Sequence, residues 1–353
     1  MIKNVEVILD EYTDRVARAF DYEFKGVSTF VGFDKPDVPK QFNIGVIFGA
    51  SGSGKSTLLQ EFGVEPEIVW NPEKAIICHF ETPDIGIDRL SAAGLNSIPS
   101  WCKPYHVLST GEKFRADIAR RLQDGAIIDE FTSVVDRNVA RAASVSIAKY
   151  IRSHNIQNVV LATCHHDILE WLEPDWTFNT DNGELLVGRS LRQPEIKIDI
   201  FRCDRGLWRM FAKHHYLNGT MNKSAQCFAG VYSGDIIAFS AIMPFPSGQV
   251  RNGWREHRTV VLPDYQGMGI GTRFSEAVAS IFLENGKRFF SKTAHIRMGQ
   301  HRNNSPLWRP TSKNMKLPKN TNTKEFVGRF YGWKVSTRFT YCHEYIGEQH
   351  GEQ

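Results

Sequence analysis

In the first half of the chain, apolar residues gather into short unbroken runs set between turn-forming residues. Ile44 to Phe48, Ala126 to Ile128 and Val159 to Ala162 are the clearest. Runs of this kind read as strands buried on both faces. Amphipathic stretches such as KFRADIARRL (113–122) lie between them and read as helices. Strands alternating with helices predict an α/β unit with a largely parallel sheet. The pattern changes near residues 186–196. A turn-rich segment, Asp181 to Glu184, closes the first regime, and IKIDIF (196–201) opens a second, in which apolar and polar residues alternate. A helix follows, then a hairpin turning at Ser233-Gly234-Asp235, a strand and a glycine-rich turn. The helix TRFSEAVASIFLENG (272–286) and the strand KRFFSKT (287–293) come next. That order predicts a mixed α+β sheet. The expected domains are 1–190 and 196–353.

Composition narrows the class without naming it. At 353 residues the chain suits two domains, and 41% hydrophobic with 23% charged residues is ordinary for a globular protein with true cores. The net charge of +4 permits a polyanionic partner without requiring one. The N-terminus MIKNVEVILDEYTDR has early acids and no apolar core, unlike a signal peptide, and no long apolar run predicts a membrane span. Six scattered cysteines with no CxxC pair argue against a disulfide framework or thiolate zinc site, so a reducing cytoplasm is the expected home. One stretch departs from the mean. Residues 297–334 hold nine Lys/Arg against Glu325 alone, with Trp308, Phe330, Tyr331 and Trp333 among them. It reads as a surface insertion, and basic residues interleaved with aromatics suit a nucleic acid.

The strongest chemistry follows the strand at Ile44–Phe48. Gly49-Ala50-Ser51-Gly52-Ser53-Gly54-Lys55-Ser56-Thr57 fills every position of a P-loop. Glycines at Gly49, Gly52 and Gly54 let the backbone N–H groups around Ser51 and Ser53 turn inward to cradle phosphates. Lys55 adds a point charge, the Ser56 hydroxyl suits Mg²⁺, and Thr57 starts a helix whose N-terminus favours an anion. The run Ala126–Ile128 then ends in Asp129, placed to hold the Mg²⁺ shell, and Glu130, placed to polarise an attacking water.

Between these motifs lies Leu108-Ser109-Thr110-Gly111-Glu112, ahead of the helical KFRADIARRL; Ser133-Val134-Val135-Asp136 and His166-Asp167 come after them. The ordered set over 44–170 resembles the ABC-type ATPases. The resemblance implies a head-to-tail dimer closed by ATP. In it, Ser109 and Gly111 of one copy meet the phosphate held by Lys55 of the other, His166 senses it and Glu130 supports hydrolysis. The segment between Lys55 and Leu108 is short, so a soluble ATPase is expected rather than a partner of a transporter permease. Phe24 and Phe30 are candidates to stack on adenine.

In the second half, RTVVLPDYQGMGIG (258–271) runs from a strand through Gln266, Gly267, Gly269 and Gly271 into a helix. A glycine-rich turn opening a helix presents N–H groups to a pyrophosphate. The motif is not a dinucleotide fingerprint; it resembles the acetyl-CoA turn of the GNAT acyltransferases. Acyl transfer needs a base for the acceptor and an acid for the leaving thiolate. Glu256 and His257 are candidate bases and Tyr331 a candidate acid. His214, His215 and Tyr216 are candidates to line the acceptor pocket and His295 ends a strand beside the expected splayed cleft, with a structural role open for each and a metal site an alternative for the three histidines. The whole chain resembles the soluble ABC-type ATPases fused to a predicted acetyltransferase domain. The leading expectation is an ATP-dependent acyltransferase that uses ATP, Mg²⁺ and acetyl-CoA and modifies a nucleic acid. The alternatives are transfer to a protein or small amine under ATPase control, and a non-catalytic ATP-driven switch.

Overall fold

The computed structural model describes residues 2–189, 191–215, 220–247, 250–316 and 340–348. The chain divides into two compact units, Met1–Pro194 and Glu195–Gln353. No helix among the described residues is long and apolar enough to cross a membrane.

The first unit opens with β1 (Ile2–Glu6), α1 (Glu11–Ala19) and β2 (Val27–Val31), β1 and β2 forming their own antiparallel pair. Then come β3 (Ile44–Phe48), α2 (Lys55–Leu59), α3 (Pro83–Ala92), α4 (Ile98–Trp101), α5 (Thr110–Arg121), β4 (Ile127–Ile128) and α6 (Arg137–Ser153). The unit ends with β5 (Val159–Thr163), α7 (Leu169–Leu172), β6 (Trp176–Asn179) and β7 (Glu184–Val187). Its sheet has the order β4-β5-β3-β6-β7, parallel except for the last pair. The apolar runs are its interior: every residue of β3 and β5 is buried. Gly45 is needed in β3 because Trp176 lies opposite it, and a Cβ there would stand 2.1 Å from the indole. The helix after the P-loop is shorter than TLLQEF predicts. Glu61 and Phe62 donate to carbonyls three residues back, a tightened ending that releases the chain into Gly63, at φ +158°.

The second unit is one seven-stranded sheet. Its elements are β8 (Asp199–Cys203), α8 (Trp208–Phe211), β9 (Gln226–Tyr232), β10 (Asp235–Pro244), β11 (Gly253–Val261), α9 (Ile270–Glu284), β12 (Arg288–Thr293), α10 (Ile296–Asn304), β13 (Trp308–Pro310) and β14 (Tyr341–Tyr345). The strand order is β13-β14-β12-β11-β10-β9-β8. The predicted hairpin between β9 and β10 turns on Ser233 and Gly234, both at positive φ, while Asp235 already belongs to β10. The strands β11 and β12 run parallel but pair only over Gly253–Arg255 with Arg288–Phe290, and then part. Against β10, His257 is an extra residue: Ala241 opposes Arg258 while Ile242 opposes Glu256. This bulge turns Glu256 and Thr259 to the same face.

The polar stretch 297–334 is not a surface insertion from its start. Residues 296–304 are α10, and Arg302 and Trp308 are buried at 1% and 4% exposure. Burial is possible because Arg302 is neutralised. Its Nη2 donates to Glu256 Oε2 at 2.9 Å and to Ser275 Oγ at 2.7 Å, its Nη1 reaches Ser291 Oγ, and the guanidinium lies 4.3 Å from the Trp308 ring centre. Residues 317–334 lie outside the described residues, Tyr331 with them.

Glu256 also accepts from Thr259 Oγ1, Ser275 Oγ and Ser291 Oγ at 2.6, 2.8 and 3.1 Å. Burial pushes its carboxyl up, but Arg302 and the hydroxyls outweigh this and hold it below the ordinary glutamate range. The pair therefore joins β11, β12, α9 and α10 where the two strands part. Replacing Arg302 with Met strands a buried carboxylate and is expected to cost about 3–5 kcal/mol in urea unfolding at neutral pH. The wild-type contribution of Glu256 is present above the ordinary glutamate pKa and lost as pH falls through its lowered folded value. The stability gap between wild type and Arg302→Met should therefore narrow in acid, and an equal gap at both pH values would contradict the ion-pair account.

Candidate functional sites

In the first unit the P-loop leaves the buried end of β3 with Gly49, Gly52 and Gly54 at φ +153°, +79° and +89°. Gly54 is the N-cap of α2, and no side chain bonds the first amides of that helix. A Cβ at Gly52 would meet nothing within 4 Å, so the loop is open on that side, while Ser51 is exposed. The Nζ of Lys55 is folded onto the loop, donating to the carbonyls of Gly49 and Ala50 at 3.0 and 2.6 Å. Ser56 and Thr57 lie in the first turn of α2.

The loop is held from β6–β7. Thr180 Oγ1 lies 2.6 Å from Ser53 Oγ and donates to the Phe48 carbonyl at 3.1 Å, and Asp181 Oδ1 accepts from the Ala50 amide at 2.8 Å. Sequence reading gave Thr180 no role and treated Asp181 only as a turn residue. Phe30, one of the two adenine candidates, lies against the loop, where a Cβ on Gly54 would meet its ring at 2.3 Å.

The sheet order brings the other motifs to the same end. β5 lies between β3 and β4, so its C-terminal residues stand between the P-loop strand and Asp129-Glu130. The His166 ring lies 4.8 Å from that of Phe48, edge to face, at the base of the P-loop. His165 Nδ1 lies 3.0 Å from Thr132 Oγ1, and burial, with Arg137 nearby, lowers the His165 pKa. Glu130 is exposed at φ +47°, its amide donating to Asp129 Oδ1 at 2.8 Å. Asp136 is committed to capping α6, accepting from Asn138 and Val139.

Ser109 and Glu112 form a reciprocal capping box at the start of α5. Ser109 is nonetheless exposed, and a Cβ on Gly111 would meet nothing within 4 Å. This helix start faces open space.

In the second unit, β11 leads through Pro263–Tyr265 into Gln266–Gly269 and α9. Gly267 and Gly269 have φ +94° and +79°. Gln266 Nε2 donates to the Val261 carbonyl at 2.7 Å, tying the turn to the strand end. The five other described helices of nine or more residues each carry a side-chain cap: Asp10 on α1, Thr82 on α3, Ser109 on α5, Asp136 on α6 and His295 on α10. α9 has fifteen residues and none, and a Cβ on Gly269 would meet nothing within 4 Å. Helix N-termini leave amides unsatisfied, and this one is open toward an anion. Gly271 sits on the first turn, with Met298 of α10 close to where its Cβ would be.

The remaining candidates separate. Glu256 is enclosed by the four donors described above. His257, on the bulge, accepts the Asn222 amide on Nε2 at 3.3 Å; burial and then Arg258 and Arg255 lower its pKa to about 4. His295 caps α10 through Nδ1, and its pKa is lowered by burial. His214 ends the turn after α8 and is lowered likewise, while His215 packs edge-on to Trp208. Tyr216 lies outside the described residues. No group of three or more His, Cys, Asp or Glu able to hold a metal ion occurs among the described residues.

Residues 189–303 match the model of the acetyltransferase (GNAT) family. No curated protein matches the chain. Similar solved structures include the ribosomal-protein-S18-alanine N-acetyltransferase of Escherichia coli, 11% identical over 44% of this chain and 100% of that one, at TM-score 0.29. A GNAT family acetyltransferase from Elizabethkingia anophelis with acetyl-CoA bound is 13% identical over 42% and 97%, at TM-score 0.27. The bacterial ABC transporter cassette MJ0796, described as dimeric, is 15% identical over 51% of this chain and 94% of its own, at TM-score 0.33. Residues 189–303 thus match the acetyltransferase (GNAT) family, in a chain whose first unit carries its P-loop at the end of a largely parallel sheet.

Proposed function

We propose that this chain is an ATP-binding, ATP-hydrolysing acyltransferase that moves an acetyl group from acetyl-CoA to an amine of a nucleic acid. One observation carries the acyl-CoA assignment: the uncapped start of α9, behind the Gln266–Gly271 turn, lies at the end of β11, the strand that parts from β12. The amides of this turn would hold the pyrophosphate, and the gap between the strands would take the pantetheine arm. Acetyl-CoA supplies the thioester carbonyl; transfer forms an amide bond and releases the thiol.

In the first unit, the P-loop amides and Lys55 would hold the nucleotide phosphates after Lys55 leaves its own loop carbonyls. Ser56 and Asp129 would hold Mg²⁺, which neutralises phosphate charge there. Glu130 would orient the water, with His166 beside the phosphate. The open start of α5 at Ser109 and Gly111 fits the second half of a composite site, supplied by another copy of the chain. Phe30, whose ring lies against Gly54, would cover the adenine side. A second reading, an acyl-CoA-sensing unit that transfers nothing, is favoured by the enclosure of Glu256 and the engaged Nε2 of His257.

Labelled acetyl-CoA incubated with the protein and mixed oligonucleotides separates the two readings. Label in the nucleic acid supports transfer, while binding of acetyl-CoA with no label moved to any acceptor supports the sensor. Gly269→Ala places a side chain at a positive-φ position on the turn and is expected to weaken acetyl-CoA binding at least about tenfold by calorimetry, with little change in ATP affinity. Lys55→Ala should abolish ATP binding. Glu130→Gln should retain ATP and accumulate a dimer in light scattering; a monomer at saturating ATP would count against the composite site.

A further inference from the structure

Among the described residues, the sheet of the second unit has one face under α9 and another that α8 covers only in part. The α8 side chains Trp208 and Phe211 pack with Phe239, Ala241 and Val260, over β10 and β11. Toward β12, β14 and β13 the strand alternation puts a different set on this face. Arg255 stands opposite Phe290, and Glu344 lies opposite both Phe290 and Arg309. The Arg255 guanidinium lies 5.5 Å from the Phe245 ring centre, Phe245 lies 5.4 Å from Phe290, and Arg288 lies 5.1 Å from Phe290. Arg288 and Arg309 share Glu344 at 2.7 and 2.8 Å and keep 45% and 62% of their side chains exposed. One carboxylate between two guanidiniums leaves a positive charge. Lys292, on the same side of β12 as Arg288 and Phe290, is exposed and adds another.

The sequence around this face is one-sided in charge. From Asn285 to Lys316 there are eight Lys/Arg and no Asp or Glu. The only one of them buried as an ion pair with Glu256 is Arg302. The position also matters. Arg255 and Phe290 form the last paired rung before β11 and β12 separate, so the patch borders the cleft assigned to the acyl donor.

We infer that this face docks a single nucleic-acid strand, its phosphates on Lys292, Arg309 and Arg255 and its bases on Phe245 and the guanidinium planes. It rests on the preceding reading only for the class of acceptor. The charge surplus calls for a polyanion, and rings set among arginines suit flat bases. An acidic peptide would use the charge but leave the rings idle. A duplex hides its base faces, so it would leave these rings without a stacking partner.

The test is fluorescence anisotropy of a labelled 20-mer oligothymidylate with the full chain, without acetyl-CoA or ATP, across a salt series. Phe245→Ala is expected to weaken binding about 5- to 100-fold, the loss of one stacked base. Lys292→Ala and Arg309→Ala, both at exposed positions, should each lower the slope of log K against log salt by about 0.7. Inorganic polyphosphate should compete less well than unlabelled oligothymidylate. Wild-type affinity and slope in the Lys292 and Arg309 variants overturns the docking face, as does equal competition by polyphosphate or by polyglutamate. Binding that follows these residues while no acetyl group is transferred overturns the transfer reading alone. Transfer to nucleic acid that ignores them overturns the face alone.

Discussion

A carboxylate buried without a counter-charge costs several kcal/mol, and Glu256 is buried where β11 and β12 come apart. Arg302 makes that burial tolerable, and the second unit is arranged around the pair. The hydroxyls of Thr259, Ser275 and Ser291 reach the same carboxylate, so four elements converge on two oxygens. Parallel strands that stop pairing leave backbone groups facing a gap, which is unfavourable unless something fixes the gap's width. Here a fully satisfied polar network does so, and the strand ends beyond it are free to face a ligand. The cost is chemical. A carboxylate with both oxygens engaged and a pKa held below the ordinary glutamate range is a poor proton acceptor.

The two units share one local arrangement. Each runs a strand into a glycine-rich turn and then into a helix whose first amides no side chain caps. A cap would satisfy the first amides and remove the reason for an anion to bind. In the first unit the turn is further restrained by Thr180 and Asp181, which grip its outer side at Ser53 and Ala50 while α2 begins at Gly54 with open amides. The loop is thus held in shape from a neighbouring strand turn, and Lys55 rests on its own loop carbonyls.

Charge is distributed with equal economy. Positive residues near the end of the chain divide into one that is spent inside the fold, Arg302, and others that remain at the surface beside aromatic rings. Glu344 spaces two of them without cancelling both. The result is a basic sheet face on the border of the cleft, in a chain whose net charge is only +4.

The P-loop, the order of the motifs around it, the glycine turn before α9 and the hairpin at Ser233-Gly234 are all legible in the sequence. All of these are local: they depend on apolar runs, on glycines at positive φ and on spacing within a few residues. Contacts between residues far apart in the chain were not legible, because the folding of the chain sets them. Glu256 and Arg302 are 46 positions apart, and nothing local marks either as the other's partner. Thr180 and Asp181 meet the P-loop because β6 pairs with β3, and the bulge at His257 follows from pairing with β10. The stretch from residue 297 looked like solvent-exposed chain because it is basic. Its first part folded inward because a buried arginine costs little once a carboxylate, two hydroxyls and an indole ring surround it.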